Sequence, residues 1–305
     1  MNAAILEYLK QMIPSENILL EEPMSKHTTF RTGGNADVFI HIETEEQLRK
    51  IIQLLNKLEE AYLILGNGSN LLVSDKGYEG VILSIGSKMG CIRVSENKIV
   101  AEAGALLSQV ANAAYEAGLT GFEFAAGIPG SVGGAVVMNA GAYGGEMKQV
   151  VTKVHVMSRS GEVLELSNDD MEFGYRTSAV RNHHFIVLDM EIELQPGDKE
   201  LMKETMLDLA KKRREKQPLE YPSAGSTFKR PEGHFAGKLI MDAGLRGFRI
   251  GNAAVSEKHC GFVVNLGNAT SDDVWNVIKA VQERVFETAG VSLQTEVIPI
   301  GEFDS

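Results

Sequence analysis

The chain has 305 residues, 44% hydrophobic and 23% charged, and a formal net charge of −11. These values are typical of a globular protein with more than one core, and the acidic surface argues against nucleic acid or an anionic membrane as a partner. Cys91 and Cys260 lack CxxC spacing and metal-ligand neighbours, so we expect free thiols, with one disulfide left open. The N-terminus lacks a signal-peptide pattern, and no apolar run is as long as a membrane span. We expect a cytoplasmic protein.

The first part of the chain predicts helices and strands in mixed order. Thr44 is a candidate N-cap ahead of an apolar stripe, and Glu96-Asn97 is the expected turn of a hairpin. A helix at 106–117 is predicted to bury the face that carries Leu106 and Val110. The predicted helices cover 2–12, 44–60 and 106–117, and the predicted strands cover 62–65, 71–73, 81–85, 91–95 and 98–103.

The rest of the chain continues this mixture, which favours an α+β fold over a doubly wound sheet. Ser160-Gly161 is a hairpin signal, and Pro196-Gly197 is the best linker candidate. The predicted strands lie within 150–166, 185–194, 261–266 and 296–300, and the predicted helices cover 199–216, 236–244 and 271–289.

Two glycine-rich loops follow short apolar segments. Glycine lets a ligand approach the main chain, and consecutive inward amides bind anions. The first loop is equally well explained as a tight turn, and neither loop has the ribose-binding acid of a Rossmann fingerprint. The second loop is harder to explain as a turn, so we expect the pair to hold a long, phosphate-bearing cofactor. The loops are Gly66-Asn67-Gly68-Ser69-Asn70 and Gly127-Ile128-Pro129-Gly130-Ser131-Val132-Gly133-Gly134.

Five ordered motifs and one acidic residue carry a resemblance to a known family. Beside the two loops, they are Thr29-Phe30-Arg31-Thr32-Gly33-Gly34, Gly174-Tyr175-Arg176-Thr177-Ser178, Ala224-Gly225-Ser226-Thr227-Phe228-Lys229 and Glu296. Together they resemble the UDP-N-acetylenolpyruvoylglucosamine reductase family, in its shorter form, from about residue 25 to residue 301. The resemblance implies an FAD enzyme that uses NADPH to reduce the enolpyruvyl group of UDP-N-acetylglucosamine enolpyruvate, giving UDP-N-acetylmuramate for peptidoglycan. It implies hydride transfer from flavin N5 to C3 and protonation at C2.

The resemblance also implies a domain layout. The FAD-binding fold is of the p-cresol methylhydroxylase type, in two subdomains, and a C-terminal α+β domain binds the substrate. With the Pro196-Gly197 break, this predicts FAD-binding subdomains at 1–84 and 85–197 and a substrate domain at 199–293. Residues 294–305 are a possible addition to the first subdomain.

The resemblance places three catalytic residues. Arg176 would stabilise the charge that develops on the substrate carboxylate, since a guanidinium is a fixed two-pronged donor; without the resemblance, a surface arginine is the commoner explanation. Ser226 would donate the proton to C2, and Glu296 would polarise the carboxylate or relay a proton. Without the resemblance, Ser226 would be explained as a loop residue without a catalytic role and Glu296 as a solvated carboxylate on an edge strand.

The expected binding residues are less specific. Lys229 and Arg230 begin a cation-rich stretch that ends at His259, which is either a solvated face or a site for the UDP diphosphate. Tyr175 is expected to stack on sugar or uracil. His155 and His183-His184 lack ligand partners, so no metal is assigned. The expected FAD contacts are Arg31, Gly66, Asn67, Gly68, Ser69, Asn70, Gly127, Ile128, Pro129, Gly130, Ser131, Gly133, Gly134 and Asn139.

Two other functions stay open on the residues alone. One is an oxidase or dehydrogenase of a hydroxy acid or alcohol on the same flavin fold. The other is a nucleotide-binding regulatory module without turnover.

Overall fold

A computed structural model describes residues 3–303 of the chain. The helices are α1 Ala3–Met12, α2 Glu45–Lys57, α3 Leu107–Glu116, α4 Val132–Val137, α5 Ala179–Asn182, α6 Lys199–Lys216, α7 Ala236–Asp242 and α8 Ser271–Ala289. Short 3₁₀ turns occupy Ser15–Asn17, Met24–Lys26, Ser87–Met89, Glu123–Ala125 and Met147–Gln149. None of the helices described here is both long enough and apolar enough to cross a membrane.

The strands are short and belong to several sheets. They are β1 Ile18–Pro23, β2 Asn35–Ile42, β3 Tyr62–Leu65, β4 Leu71–Val73, β5 Tyr78–Ile85, β6 Ile92–Ser95, β7 Lys98–Glu102, β8 Leu119–Thr120, β9 Gly141–Ala142, β10 Gly145–Glu146, β11 Val151–Met157, β12 Val163–Ser167, β13 Ile186–Glu193, β14 Gln195–Pro196, β15 Arg249–Ile250, β16 Ala253–Val255, β17 Val263–Asn265 and β18 Ile298–Ile300.

The chain divides into two compact units. Unit 1 is 1–19, 38–67 and 80–212, and unit 2 is 20–37, 68–79 and 213–305. These bounds differ from the three ligand-binding segments that the sequence predicts. That division by ligand stays a prediction. The Pro196-Gly197 signal lies inside unit 1 because β14 pairs with β8, and the Gly197 amide donates to the Gly118 carbonyl over 2.8 Å.

Unit 1 contains an antiparallel sheet of order β12-β11-β13-β7-β6. The short helix α4 packs on β13 and β7, and α3 packs on β6 and β7. β3 and β5 form a parallel pair in a second sheet, of order β1-β2-β5-β3. The largest buried cluster of unit 1 includes the inner faces of these elements and the apolar stripe of α2.

Unit 2 has its own core around α8. This helix begins at a capping box in which Thr270 and Asp273 accept hydrogen bonds from each other's backbone, and it ends at Gly290 with φ +66°. It packs on the antiparallel sheet β15-β16-β17 and on α7, and β18 pairs with β4 in parallel. The capping box and the terminal glycine are both visible in the sequence, which explains why the predicted bounds of this helix, 271–289, are correct.

The predicted helices and strands are confirmed with small shifts in their bounds, and residue 2 of the first predicted helix lies outside the described residues. The sequence did not predict α4, α5, β1, β2, β8, β9, β10, β14, β15 or β16. Leu106 is the extended N-cap of α3 and is 37% exposed, so the predicted inner face was wrong by one residue; the buried side chains are those of Leu107, Val110, Ala111 and Ala114. The helix α4 was missed, because its sequence begins with Val132 and two glycines and glycine disfavours helix.

A histidine network on the sheet of unit 1 predicts a pH-dependent stability. The His155 ring nitrogens lie 2.7 Å from Asp189 and 3.1 Å from Glu165, and the hydrogen bond that the Asp189 carboxylate accepts is the main cause that raises the pKa of His155 above the ordinary 6.5, against the lowering effect of partial burial. A group whose pKa is higher in the folded than in the unfolded protein stabilises the fold fully at a pH below its unfolded-state pKa. This contribution is lost as the pH rises through its folded-state pKa.

We expect His155→Gln to lower thermal stability most under mildly acidic conditions. The deficit should be about 1 kcal/mol or less, since the group is partly exposed, and it should shrink as pH rises through neutrality. The measurement is the melting temperature of both proteins across this range, with His234→Gln as an exposed control. A deficit that grows with pH would contradict the assignment.

Candidate active site

The two glycine loops meet within unit 1. The Asn67 side-chain amide donates to the Pro129 carbonyl over 2.8 Å. Gly66 lies against Ser131, so that a Cβ at Gly66 would collide with the Ser131 hydroxyl. The loop ends are therefore joined, and a side chain at residue 66 would have to turn the Ser131 hydroxyl away.

The second loop is fixed by backbone hydrogen bonds to the segment between β7 and α3. Leu107 donates to Gly130 over 3.0 Å, Val132 to Ala105 over 2.8 Å and Gly133 to Ala103 over 2.9 Å. Among residues 3–303, no backbone carbonyl accepts a hydrogen bond from the amides of Gly127 and Ser131. A rigid loop thus presents free donors of the kind that bind anionic oxygens.

A second set of polar groups lies in unit 2, beside Gly68. The Thr29 amide donates to the Gly68 carbonyl over 3.1 Å, and Gly68 has φ +60° with no room for a Cβ against the His27 carbonyl. The hydroxyls of Thr29 and Thr32 are buried, and neither has a hydrogen-bond partner within the described part of the chain. Arg31 stands exposed between them with φ +57°.

Each unit carries groups that fit part of a flavin nucleotide. In unit 2, buried hydroxyls without a protein partner are rare and indicate a polar ligand or water, and Arg31 beside them suits a phosphate. In unit 1, the free amides of the second loop suit phosphate oxygens. Sequence reasoning listed Arg31 here but missed Thr29 and Thr32, although both stand in the motif that carried the resemblance.

Arg176 lies at the tip of a tight turn in unit 1. Gly174 and Thr177 form an isolated antiparallel bridge, with N–H to carbonyl distances of 3.1 and 3.4 Å. Between them, Arg176 has φ +58°, an uncommon value for a residue with a side chain. The Tyr175 ring centre is 5.1 Å from the guanidinium carbon. The turn presents a cation stacked on an aromatic ring.

The side chain of Asn139 holds this turn. It is 2% exposed and donates to the Gly174 carbonyl over 3.1 Å. The predicted FAD contact of Asn139 stays a prediction, and the structure adds this contact to the arginine turn.

Ser226 and Glu296 come together in unit 2. The Glu296 amide donates to the carbonyl of Thr227, the residue after Ser226, over 2.8 Å. Thr227 is fully buried; its amide donates to Gly261 over 2.8 Å, and its hydroxyl accepts from Val263 over 2.9 Å. Ser226 itself is exposed, and its hydroxyl makes no hydrogen bond to residues 3–303. A fixed backbone therefore carries a hydroxyl that is available to a ligand.

Most cations of the 229–259 stretch already have protein partners. Arg230 stacks on Phe235 at 4.1 Å and donates to His234. Burial lowers the pKa of His259, which favours its neutral form. Lys229 differs, since its ammonium has no hydrogen bond or ion pair with the described residues. The other partnered cations are Lys238, Arg246, Arg249 and Lys258.

The histidines do not form a metal site in the described part of the chain. No group of three or more His, Cys, Asp or Glu side chains there is arranged to hold a metal ion. His183 stacks on Phe185, with ring centres 5.4 Å apart.

Comparison with known proteins defines the class first. A model of an FAD binding domain matches residues 36–167. A structure of a variant of Phl p 4, a glucose oxidase, aligns over 96% of this chain and 61% of its own with a TM-score of 0.53 at 12% identity, which shows the fold alone. The fold is α+β, with an FAD-binding part of the p-cresol methylhydroxylase type. The chain is an FAD-dependent oxidoreductase.

The relatives then define the family. The model described as the C-terminal domain of UDP-N-acetylenolpyruvoylglucosamine reductase matches residues 217–300. Enzymes of that name are 51% identical over 98% of both chains in Caldanaerobacter subterraneus and 50% identical over 99% of this chain and 100% of the relative in Agathobacter rectalis. The crystal structure of the Thermus caldophilus enzyme aligns over 93% of this chain and 98% of its own, with a TM-score of 0.79 and 34% identity. The chain belongs to the UDP-N-acetylenolpyruvoylglucosamine reductase family, which works in peptidoglycan synthesis.

The contact between the glycine loops predicts a specific loss of cofactor. We expect Gly66→Ala to weaken FAD retention several-fold, because the new methyl group turns the Ser131 hydroxyl away from the Gly134 amide and so removes the cap of α4, which costs about 1 kcal/mol. FAD affinity is measured by flavin fluorescence after gel filtration.

Gly86→Ala is the matched control, since a Cβ at Gly86 meets nothing within 4 Å. Equal FAD affinity in Gly66→Ala and the wild type would show that this contact does not shape the cofactor site.

Proposed function

We propose that the chain reduces the enolpyruvyl group of UDP-N-acetylglucosamine enolpyruvate to UDP-N-acetylmuramate, with NADPH as the electron donor. The observation that carries the reaction is identity of about 50% to reductases of that name over nearly the full chain. The roles of individual residues rest on the turns described above. The chemistry that bound FAD supplies is hydride transfer from the nicotinamide coenzyme to C3 of the enolpyruvyl group.

Arg176 stabilises the charge that develops on the substrate carboxylate. As C3 gains a hydride, electron density moves through C2 to the carboxylate oxygens. A guanidinium binds both oxygens through parallel N–H groups, and this bond strengthens as the charge grows. The closed turn and the Tyr175 ring support this role because they restrict the directions in which the guanidinium points.

Ser226 supplies the proton that C2 gains. A serine hydroxyl is a weak acid, so it donates only to a strongly basic carbon and only from a fixed position. The hydrogen bonds of Thr227 provide that position, and the absence of a protein partner for the Ser226 hydroxyl among residues 3–303 leaves its proton available. Glu296, joined to the same backbone, polarises the carboxylate or relays a proton.

Lys229 binds a phosphate of the UDP group, and Tyr175 stacks on sugar or uracil. Lys229 precedes the partnered Arg230 and follows the Ser226 turn, and its amide is fixed by the Gln294 carbonyl at 2.9 Å. A lysine without a protein ion pair is the better phosphate ligand of the two, since no existing bond must break. Arg230, stacked on Phe235, stays a second candidate.

The predicted ligand-binding layout is part of the proposal. FAD is held by 1–84 and 85–197 and the substrate by 199–293. We place the enzyme in the cytoplasm, and the free thiols of Cys91 and Cys260 support this because they are typical of a reducing compartment.

The role of Ser226 predicts unequal effects on the two half-reactions. In Ser226→Ala, reduction of the flavin by NADPH should stay intact, since no carbon is protonated in that step. Reoxidation by the enolpyruvyl substrate should slow by about 10² to 10⁴, the share of one general acid. Anaerobic stopped-flow absorbance measures both rates.

Ser223→Ala is the control, because Ser223 lies in the same loop and its hydroxyl also lacks a hydrogen bond to the described residues. Equal slowing of both half-reactions in Ser226→Ala would show that the serine shapes the pocket rather than donating the proton.

The assignment of the phosphate ligand predicts a difference between adjacent cations. Lys229→Met should raise KM for the nucleotide-sugar about tenfold, the value of one charge-assisted hydrogen bond. Arg230→Met should raise it less, since Arg230 is already engaged by its own loop. Steady-state kinetics with each variant decide the order, and a larger effect of Arg230→Met would reverse the assignment.

A further inference from the structure

The Asn139 side chain makes three hydrogen bonds within unit 1. Its amide nitrogen donates to the Gly174 carbonyl over 3.1 Å and to the Glu146 carboxylate over 3.2 Å. Its oxygen accepts from the Lys148 amide over 2.9 Å. Both amide hydrogens are therefore in use. Because its nitrogen and its oxygen both bond to the protein, the Asn139 carboxamide holds together the segments that it joins.

The Gly174 carbonyl is the point where this side chain reaches the arginine turn. Gly174 pairs with Thr177 across the turn, so its position sets the direction of the two residues between them. The other end of the turn is attached to the same segment, because the Ser178 hydroxyl donates to the Val137 carbonyl at the end of α4 over 3.0 Å. Two bonds thus join the turn to the residues that follow the second glycine loop.

The backbone at Arg176 depends on such bonds. A φ of +58° is unfavourable for a residue with a side chain, and it persists where neighbouring contacts determine the conformation. Without the hydrogen bond from Asn139 to the Gly174 carbonyl, the turn has other conformations of similar energy. Each of them directs the Arg176 guanidinium elsewhere.

We propose that Asn139 is a positioning residue for Arg176. The inference rests on the proposed role of Arg176, and it gives Asn139 a function other than the FAD contact expected from the sequence. The bonds to Glu146 and Lys148 orient the carboxamide, and the bond to Gly174 transmits that orientation to the turn.

Asn139→Asp tests the proposal with almost no change in shape. Aspartate tolerates the φ of +41° at this position, keeps the acceptor for Lys148, and loses both donors. Because it also places a carboxylate against Glu146, the pair Asn139→Asp with Glu146→Gln separates the lost bond to Gly174 from charge repulsion. Asn139→Gly, which accepts the same φ, is the second variant should the aspartate prevent folding.

Asn97→Asp is the control. Its amide nitrogen donates to the Glu193 carboxylate over 2.9 Å in the same unit. The change removes an amide donor and places two carboxylates together, as Asn139→Asp does at Glu146, without touching the turn or the partners of Asn139. Its flavin half-reactions should match the wild type.

Two readouts are expected to move in the Asn139 variants. Reoxidation by the enolpyruvyl substrate should slow by about 10², the effect of a misplacement near 1 Å, while NADPH reduction and FAD affinity stay unchanged. Amide hydrogen exchange across 174–178 should become faster in the protein without substrate. In an Arg176→Ala background, Asn139→Asp should slow reoxidation no further, because residues that act through each other are not additive.

Other results overturn the proposal in distinguishable ways. Lost FAD affinity with unchanged exchange at 174–178 would make Asn139 a cofactor contact. Full additivity with Arg176→Ala would mean that Asn139 acts elsewhere. Wild-type reoxidation in Arg176→Ala would overturn the proposed role of Arg176 itself, and faster exchange in Asn139→Asp would then show a purely structural contact.

Discussion

The arrangement of unit 1 depends on three backbone hydrogen bonds that attach the second glycine loop to the segment 103–107. Val132 and Ile128 of this loop pack on the core of unit 1, whereas its glycines have no side chain to pack and are positioned through the main chain. These bonds place Ser131, which caps α4 by accepting from the Gly134 amide over 3.5 Å. The helix then leads to Asn139 and so to the arginine turn. One attachment therefore positions both the proposed cofactor loop and a proposed catalytic group.

Both units carry their proposed catalytic side chains on turns rather than inside helices or strands. In each, a buried polar side chain holds the turn: Asn139 beside Arg176, and Thr227 beside Ser226. A buried hydrogen bond has one geometry and is costly to break, so the turn gains the precision of a regular element. The proposed catalytic residues themselves stay exposed enough to meet a ligand. Rigidity and access are thus divided between neighbouring residues.

The sequence was most informative where local chemistry decides the structure. The helix α8 has a capping box, an apolar stripe and a terminal glycine, all within its own residues, and it was predicted at its exact bounds. The helix α4 has an N-cap at Ser131 and a short buried stripe of Val132, Ala135 and Val136, but its first turn contains two glycines and is held by distant backbone groups. The inner face of α3 was displaced because the N-cap was counted as helical. For the site, motifs identified the loops and turns, whereas the contact from Asn139 to Gly174 joins residues 35 positions apart and has no local signal.

The crowding of Gly66 against Ser131 also restricts how this protein can change over evolutionary time. A side chain at position 66 turns the Ser131 hydroxyl away, and a substitution of Ser131 removes it; either change removes the cap of α4, which costs about 1 kcal/mol. Once one of the two changes has occurred, the other adds little further cost, because the cap is already lost. The two positions form an epistatic pair, and lineages that differ at one should differ at the other. The residues at positions 66 and 131 are thus constrained by each other as well as by the proposed ligand of the loops.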